Sequence, residues 1–369
     1  MKKAISFGLA LAFVLSFFVV ASAEPVSLFY GQQWDRYDYQ VFGGSYVAVP
    51  AKSNNTFTIP RTYLRYKLTD DALGYEGNIT LDINNVNDGE NSKITITGGN
   101  VTAAGGIDWA IWVKKASVDF KKIPILSDID AIIRVGQQDV YFGAIDTWQY
   151  PVIEKAMEDK NSIVSSADQG IALLGKIPQG YGAYELAVYN GSGYKTTDND
   201  ATNGDITDKA YDASLLLTPI AGIYARASYL HKLTNSLGTK TAAYNASAFV
   251  VGGASGPIEA FVEYVTDNAA KNHVAGTKSG VAVGVSGYIG VKLADALSVH
   301  FRADTYNPDT LVKLDEMNTF IVGMNLKLTS MTVLQLNYQL DKFVHTMHGA
   351  SDNNLTNNNQ FLAQLVWSW

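Results

Sequence analysis

The sequence predicts an all-β fold: a transmembrane antiparallel up-and-down β-barrel of about 16 strands, with short turns at one end and long loops at the other. Three observations carry this. Apolar and polar residues alternate with period two along most of the 369-residue chain. The connections between alternating segments are themselves short and long by turns, as in a meander. Large apolar side chains collect on one parity and charged or amide side chains on the other. A barrel of this strand number is too wide for its own side chains to fill, so the polar parity faces water and the apolar parity faces lipid. Closure removes sheet edges, as a backbone in hydrocarbon requires.

In chain order, Lys2 and Lys3 precede an apolar run from Ala4 to Val20, then Ala21-Ser22-Ala23 and Glu24-Pro25. A positive start, an apolar middle and small residues at the end predict a cleaved secretory signal peptide over residues 1–23, with a retained anchor the weaker alternative. Residues 24–369 are then one barrel domain. No second apolar run is long enough for a spanning helix. Cysteine is absent, so an exported chain must be held by burial and backbone pairing. Charged residues make up 17% against about 25% in soluble domains, consistent with a lipid-facing surface. A net charge of −7 without a basic patch argues against nucleic acid.

Strands are predicted at 26–39, 57–69, 75–86, 107–121, 130–139, 167–177, 181–190, 209–218, 222–232, 241–252, 257–266, 280–293, 297–305, 318–328, 332–343 and 360–369. Leu334, Leu336, Tyr338 and Leu340 alternating with Gln335, Asn337, Gln339 and Asp341 illustrate the pattern. Leu297, Val299, Phe301 and Ala303 alternate in the same way with Ser298, His300, Arg302 and Asp304. In the fourth strand the parity changes near Lys114-Lys115. Short turns fall at Asp70-Asp71, Pro178-Gln179-Gly180, Pro219-Ile220-Ala221, Ala254-Ser255-Gly256, Ala294-Asp295-Ala296 and Thr329-Ser330-Met331, while 191–208, 266–279 and 346–359 are polar loops. Tyr30, Trp34, Trp109, Tyr211, Tyr229, Trp367 and Trp369 lie near strand ends, where interfacial aromatic girdles belong. The last segment, FLAQLVWSW, puts Phe361, Ala363, Leu365, Trp367 and Trp369 on one face.

With signal, meander, long third loop and aromatic last strand together, the mature chain resembles the outer-membrane porins of Gram-negative bacteria. The resemblance implies location in the outer membrane, contact with its lipid, and assembly as a homotrimer. It also implies that Leu365, Trp367 and Trp369 form the signal read by the barrel-assembly machinery, with Trp369 standing where the family usually has Phe. Ala225, Ala227, Ala246 and Ala248 form a small-residue cluster that suits either a subunit contact or simple lipid contact.

The resemblance further implies that the third loop, 140–166, folds inward and narrows the channel. Pro151 can start a short helix over Val152 to Asp159. Glu154 and Glu158 then share a face, with Asp159 beside them and Asp146 upstream. Facing them, the polar parity offers Arg61, Arg65, Lys67, Lys115 and Arg134, with Arg36 as an outlier. Acids against bases across a narrow opening would set a transverse field. A merely solvated loop face, and arginines paired with Glu76 or Asp82, read the same way. In "RVGQQDVYFG", Gly136 allows close backbone approach.

A catalytic reading has little to stand on. His300 with Arg302 and Asp304 could mimic an acid/base cluster but suits a channel lining. His345 and His348 suit a loop. No nucleophile elbow, phosphate loop or zinc motif occurs. The expectation is a non-enzymatic channel without cofactor or metal, passing small hydrophilic solutes and ions by passive diffusion. Alternatives are a solute-specific channel for anions or sugars, a surface structural or adhesive barrel, and a barrel hydrolase. Mixed lumen charges, with Glu185, Glu259, Glu263 and Asp341 among the bases, speak against strict anion specificity.

Overall fold

Strict alternation forms strands because successive side chains project to opposite faces, and here each face has its own solvent. The computed structural model describes residues 23–34, 37–42, 45–50, 55–70, 72–86, 95–96, 101–102, 108–148, 151–194, 209–236, 239–268, 281–308, 310–311, 315–345 and 354–367. Sixteen strands close into one antiparallel barrel. They are β1 (Ala23–Trp34), β2 (Asn55–Asp70), β3 (Tyr75–Val86) and β4 (Asp108–Phe120). Next come β5 (Ala131–Asp139), β6 (Ala167–Ile177), β7 (Gly182–Tyr189) and β8 (Ala210–Ile220). They continue with β9 (Ile223–Ser236), β10 (Thr239–Ser255), β11 (Ile258–Asp267) and β12 (Ala282–Ala294). The last are β13 (Leu297–Asn307), β14 (Asp315–Lys327), β15 (Thr332–His345) and β16 (Asn354–Trp367). Each neighbours the next in sequence, and β16 pairs with β1 from Val26↔Trp367 to Trp34↔Asn359. The signal segment lies outside the described residues except for Ala23, which opens β1.

The short connections are tight. Gly74, at φ 76°, lets the β2–β3 turn close with Gly74 N–H donating to the Asp70 carbonyl at 2.8 Å. The longer fourth-to-fifth connection contains a single helical turn, α1 (Pro124–Ser127), with proline at its start. At the other end β9 and β10 run on to Ser236 and Thr239 as a projecting hairpin, several residues past their expected ends.

The apolar parity faces outward, as the alternation predicts. Ile111, Val251 and Val262 are 66%, 61% and 59% exposed, whereas Glu263 and Arg302 on the other parity are each 1% exposed. Tyr211 and Tyr229 are exposed on the outer face near the long-loop end. The other girdle aromatics lie outside the described side chains. The parity change in β4 is a β-bulge: Thr80 pairs with Lys115 and Leu81 with Val113, so Lys114 is the extra residue. The bulge turns both lysines inward, Lys114 onto the Tyr63 hydroxyl and Lys115 onto Asp139. Gly136 of β5, at φ 116°, sits directly against the Ala116 carbonyl of β4, where a β-carbon would overlap it.

One expectation about the outer face needs correction. Ala225 and Ala227 pair with the outward residues Val251 and Phe249, but Ala246 and Ala248 are fully buried on the inner parity. They belong to an apolar cluster inside the barrel, formed by Val140, Phe142, Ile145, Trp148, Val152 and Met157 of the third loop against small or apolar wall residues, among them Ala187, Ala210, Val265, Ala282 and Ile321. Among the described residues most of the inner parity outside this band is polar, Val250 and Leu362 being buried apolar exceptions.

Candidate functional site: the inward loop and the lumen wall

The third loop leaves β5 at Asp139 and turns into the barrel at Gly143, whose φ of 58° is a left-handed conformation that favours glycine. Beyond it the loop is tied to lumen-facing groups of the wall. Gly143 N–H donates to Ser228 Oγ at 3.2 Å, and Arg226 Nη1 donates to the Gly143 carbonyl at 2.9 Å. Ala144 N–H donates to Glu158 Oε1 and Glu263 Oε1, both at 2.8 Å. Asn325 Nδ2 donates to the Pro151 carbonyl at 2.9 Å, and Arg302 Nη1 to that of Lys155. The expected helix is a single turn, α2 (Met157–Lys160). From its last residue, Lys160 Nζ reaches Thr319 Oγ1 at 2.9 Å, Glu154 at 3.2 Å and Asp341 at 3.3 Å. The bonds of residues 143–160 therefore go to β9, β11, β13, β14 and β15.

This docking decides where the loop acids point. Glu158 is fully buried beside Glu263. Burial holds its pKa above the ordinary carboxylate value. Asp146 forms a buried ion pair with Arg226, yet burial outweighs the guanidinium and its pKa also lies above normal. Burial alone would raise Glu154 too, but Lys160, the Lys155 N–H, Arg302 and Gln339 together bring it below its ordinary value. Asp159 stays partly exposed, 3.8 Å from Lys155, and borders a cavity with Asp168 and Tyr189. Glu154, Glu158 and Asp146 thus face the wall, not the open lumen. The reason is electrostatic: acids carried into a barrel need cations or hydrogen-bond donors, and Arg226, Arg302 and Lys160 supply them.

Among the described residues no ion pair joins Lys67, Lys115 or Arg134 to an acid of the loop. Arg134 is held by Asp119 through Nε at 2.6 Å and Nη2 at 2.8 Å, and donates to Tyr141 Oη at 3.1 Å. Lys115 pairs with Asp139 at 2.6 Å. Arg65 lies over the Tyr63 ring at 5.9 Å. Lys67 is exposed near the turn and pairs with Glu76 at 2.6 Å, away from the loop. The side chain of Arg61 lies outside the described residues. Lys114 joins the cluster without having been expected there: its ammonium donates to Tyr63 Oη at 3.1 Å and sits 4.9 Å and 5.6 Å from the Tyr63 and Tyr194 rings. Tyr194 donates in turn to Asp82 at 3.0 Å. Arg65, Lys114, Lys115 and Arg134 make a basic stretch on β2, β4 and β5, strands to which residues 143–160 make no hydrogen bond among the described residues.

Arg226, Ser228 and Glu263, the strongest anchors of the loop, are not evident as anchors from the sequence. A signal existed: Arg226 is flanked by Ala225 and Ala227, and charged residues recur on the lumen parity. Of the C-terminal set, the backbones of Leu365 and Trp367 pair with Leu28 and Val26 of β1. Trp369 lies outside the described residues, as do His348 and the His345 side chain. Among the described residues no cluster of histidine and carboxylates suits a metal ion.

No family model and no curated protein matches the chain. Solved structures match it over nearly its whole length. The outer membrane channel DcaP of Acinetobacter baumannii is 11% identical over 95% of this chain and 96% of that one, with a TM-score of 0.61. An anion-selective porin from Comamonas acidovorans is 9% identical over 95% and 99%, with a TM-score of 0.58. The outer membrane protein OmpT of Vibrio cholerae, in its trimer form, is 11% identical over 95% and 99%, with a TM-score of 0.57. At such identities the likeness is one of fold.

Proposed function

We propose that this chain, whose fold is that of the Gram-negative outer-membrane porins, is a channel for passive diffusion of small hydrophilic solutes and ions. The observation that carries the reading is the asymmetric filling of the barrel. The third loop lies against β9 and β11–β15 and buries its acids there, leaving the basic stretch on β2, β4 and β5 beside the remaining lumen. Solutes pass between loop and basic wall, and the loop sets the size limit. No reaction and no cofactor take part.

Residues 1–23 are the export signal and 24–369 the barrel, assembled in the outer membrane through Leu365, Trp367 and Trp369. The chain acts as a homotrimer, a reading supported by the trimer form of the OmpT relative. In this reading Arg65, Lys114, Lys115 and Arg134 line the passage, and Asp146, Glu154 and Glu158 hold the loop. A second reading, anion preference, is favoured by Lys114, whose hydrogen bond goes to a tyrosine hydroxyl instead of a carboxylate.

Swelling of proteoliposomes in isotonic sugars tests the function. Rates should fall steeply from pentoses to trisaccharides. Absence of swelling with correctly folded protein would contradict it.

A further inference from the structure

Beneath the docked loop, toward the short turns, lies a cavity of about 620 Å³ bordered by Trp148 of the loop, by Tyr224, Glu259, Phe261 and Tyr288 of the wall, and by the turns at 179–181 and 218–222. That volume falls in the range of small-molecule sites. Its chemistry is unlike the rest of the lumen. Phe261 and Tyr288 stack with ring centres 5.4 Å apart, and Trp148 meets both edge-on, at 6.0 Å and 5.6 Å. Among the lining residues Glu259 is the one ionisable acid, and none is a lysine, arginine or histidine.

The carboxylate is held in place. Glu259 Oε1 accepts from the Tyr288 hydroxyl at 2.5 Å, and that hydroxyl lies 2.8 Å from His300 Nδ1. The far side of the imidazole, Nε2, meets Ser298 Oγ at 2.7 Å and Asn325 Nδ2 at 3.0 Å. One assignment is consistent with these contacts: Ser298 and Asn325 share the Nε2 lone pair as donors, Nδ1–H donates to Tyr288, and Tyr288 donates to Glu259. The chain of bonds ends on the carboxylate as acceptor, which holds Glu259 in place. Arg302, the wall cation over the Trp148 ring at 4.7 Å, is matched by Asp304 at 2.7 Å and 2.9 Å. It is thus already paired and does not neutralise Glu259.

We propose that this cavity is a binding site for organic ammonium cations carrying an apolar or aromatic body, the ammonium at Glu259 and the body against Phe261 and Tyr224. Aromatic faces attract cations and cover apolar surface, and a fixed carboxylate selects the sign. An anion would meet Glu259 and find no basic side chain among the lining residues. The site deepens the channel reading by naming a class of solute that pauses on its way through, and it rests on that reading.

Calorimetric titration of the detergent-solubilised full-length protein tests it without requiring conduction. Benzyltrimethylammonium should bind saturably at one site per chain, with benzenesulfonate and benzyl alcohol at least tenfold weaker. Glu259→Gln, and separately Tyr224→Leu, should each weaken the cation at least tenfold while circular dichroism stays unchanged. Binding of benzenesulfonate as tight as that of the cation, or a Glu259→Gln protein that binds normally, would overturn the proposal; so would the absence of any binding heat. A silent channel that still binds the cation would fail only the porin reading, and a conducting one that does not bind would fail only this site.

Discussion

Replacing Arg302 by Met should loosen the inward loop by a measurable amount. The guanidinium is buried, donates to the Lys155 carbonyl and lies 4.7 Å from the Trp148 ring centre, so it touches the loop at two places. A charge-assisted hydrogen bond is worth about 1.5–3 kcal/mol, and a desolvated cation–π contact about 2 kcal/mol. Allowing for packing retained by the methionine, docking should weaken by about 3–4 kcal/mol, or roughly 100–1,000-fold in the undocked fraction. The reporters are the amides of Lys160, Asn161 and Ile163, which bond to carbonyls within the loop, Lys160 to Ala156 for example. Their hydrogen exchange should accelerate by that factor while amides of β12 and β13 keep their rates. Arg302→Met also strands Asp304, so Arg302→Met/Asp304→Asn is the companion variant: it removes the orphaned carboxylate without restoring either tie to the loop. Equal acceleration in both variants connects the effect to docking. Unchanged exchange in both would refute the anchoring role given to Arg302.

Other outcomes follow from the same geometry. Gly143→Ala places a side chain at φ 58° against the Glu158 and Glu263 carboxylates; it should cost docking about 2 kcal/mol, read by the same amides. Glu158 titrates above its ordinary value when docked, so the docked loop binds its proton more tightly than the undocked one. Docking should therefore weaken as pH rises from the ordinary glutamate range through the raised docked value, and Glu158→Gln should flatten that slope in exchange rates measured across pH. Lys114→Met together with Lys115→Met should shift the reversal potential in a salt gradient toward cation preference, whereas Lys67→Met, near the turn, should leave it unmoved. Gly136→Val should lower the thermal midpoint of the barrel, by about 1–3 kcal/mol of stability, because its β-carbon has no room beside the Ala116 carbonyl.

Strand order, facing and closure were legible because two solvents act on every residue of such a barrel. One misplaced residue in Leu334–Asp341 would put a carboxylate in lipid, so the sequence must state the register plainly. The bulge at Lys114 was legible for the same reason, as a break in parity. What could not be read was the partner of each loop acid. Glu158 and Glu263 are far apart in sequence and meet only because the loop crosses the lumen, a tertiary fact with no local periodicity. The band of inner alanines at 187, 210, 246, 248 and 282 was the available sign, since a water-filled lumen has no use for small apolar residues. Read as lipid-facing, Ala246 and Ala248 concealed it. The β9–β10 hairpin overran its expected ends because backbone pairing continues to Ser236↔Thr239, through a stretch without apolar alternation.

The proposed function requires an open, water-filled passage between the loop and the basic wall. Single-channel recording in a planar bilayer, with a salt gradient across it, tests that most directly. Discrete ohmic steps are expected, closing in threes, with a reversal potential that the paired Lys114 and Lys115 substitutions displace toward cations. Folded, membrane-inserted protein that carries no current would contradict it.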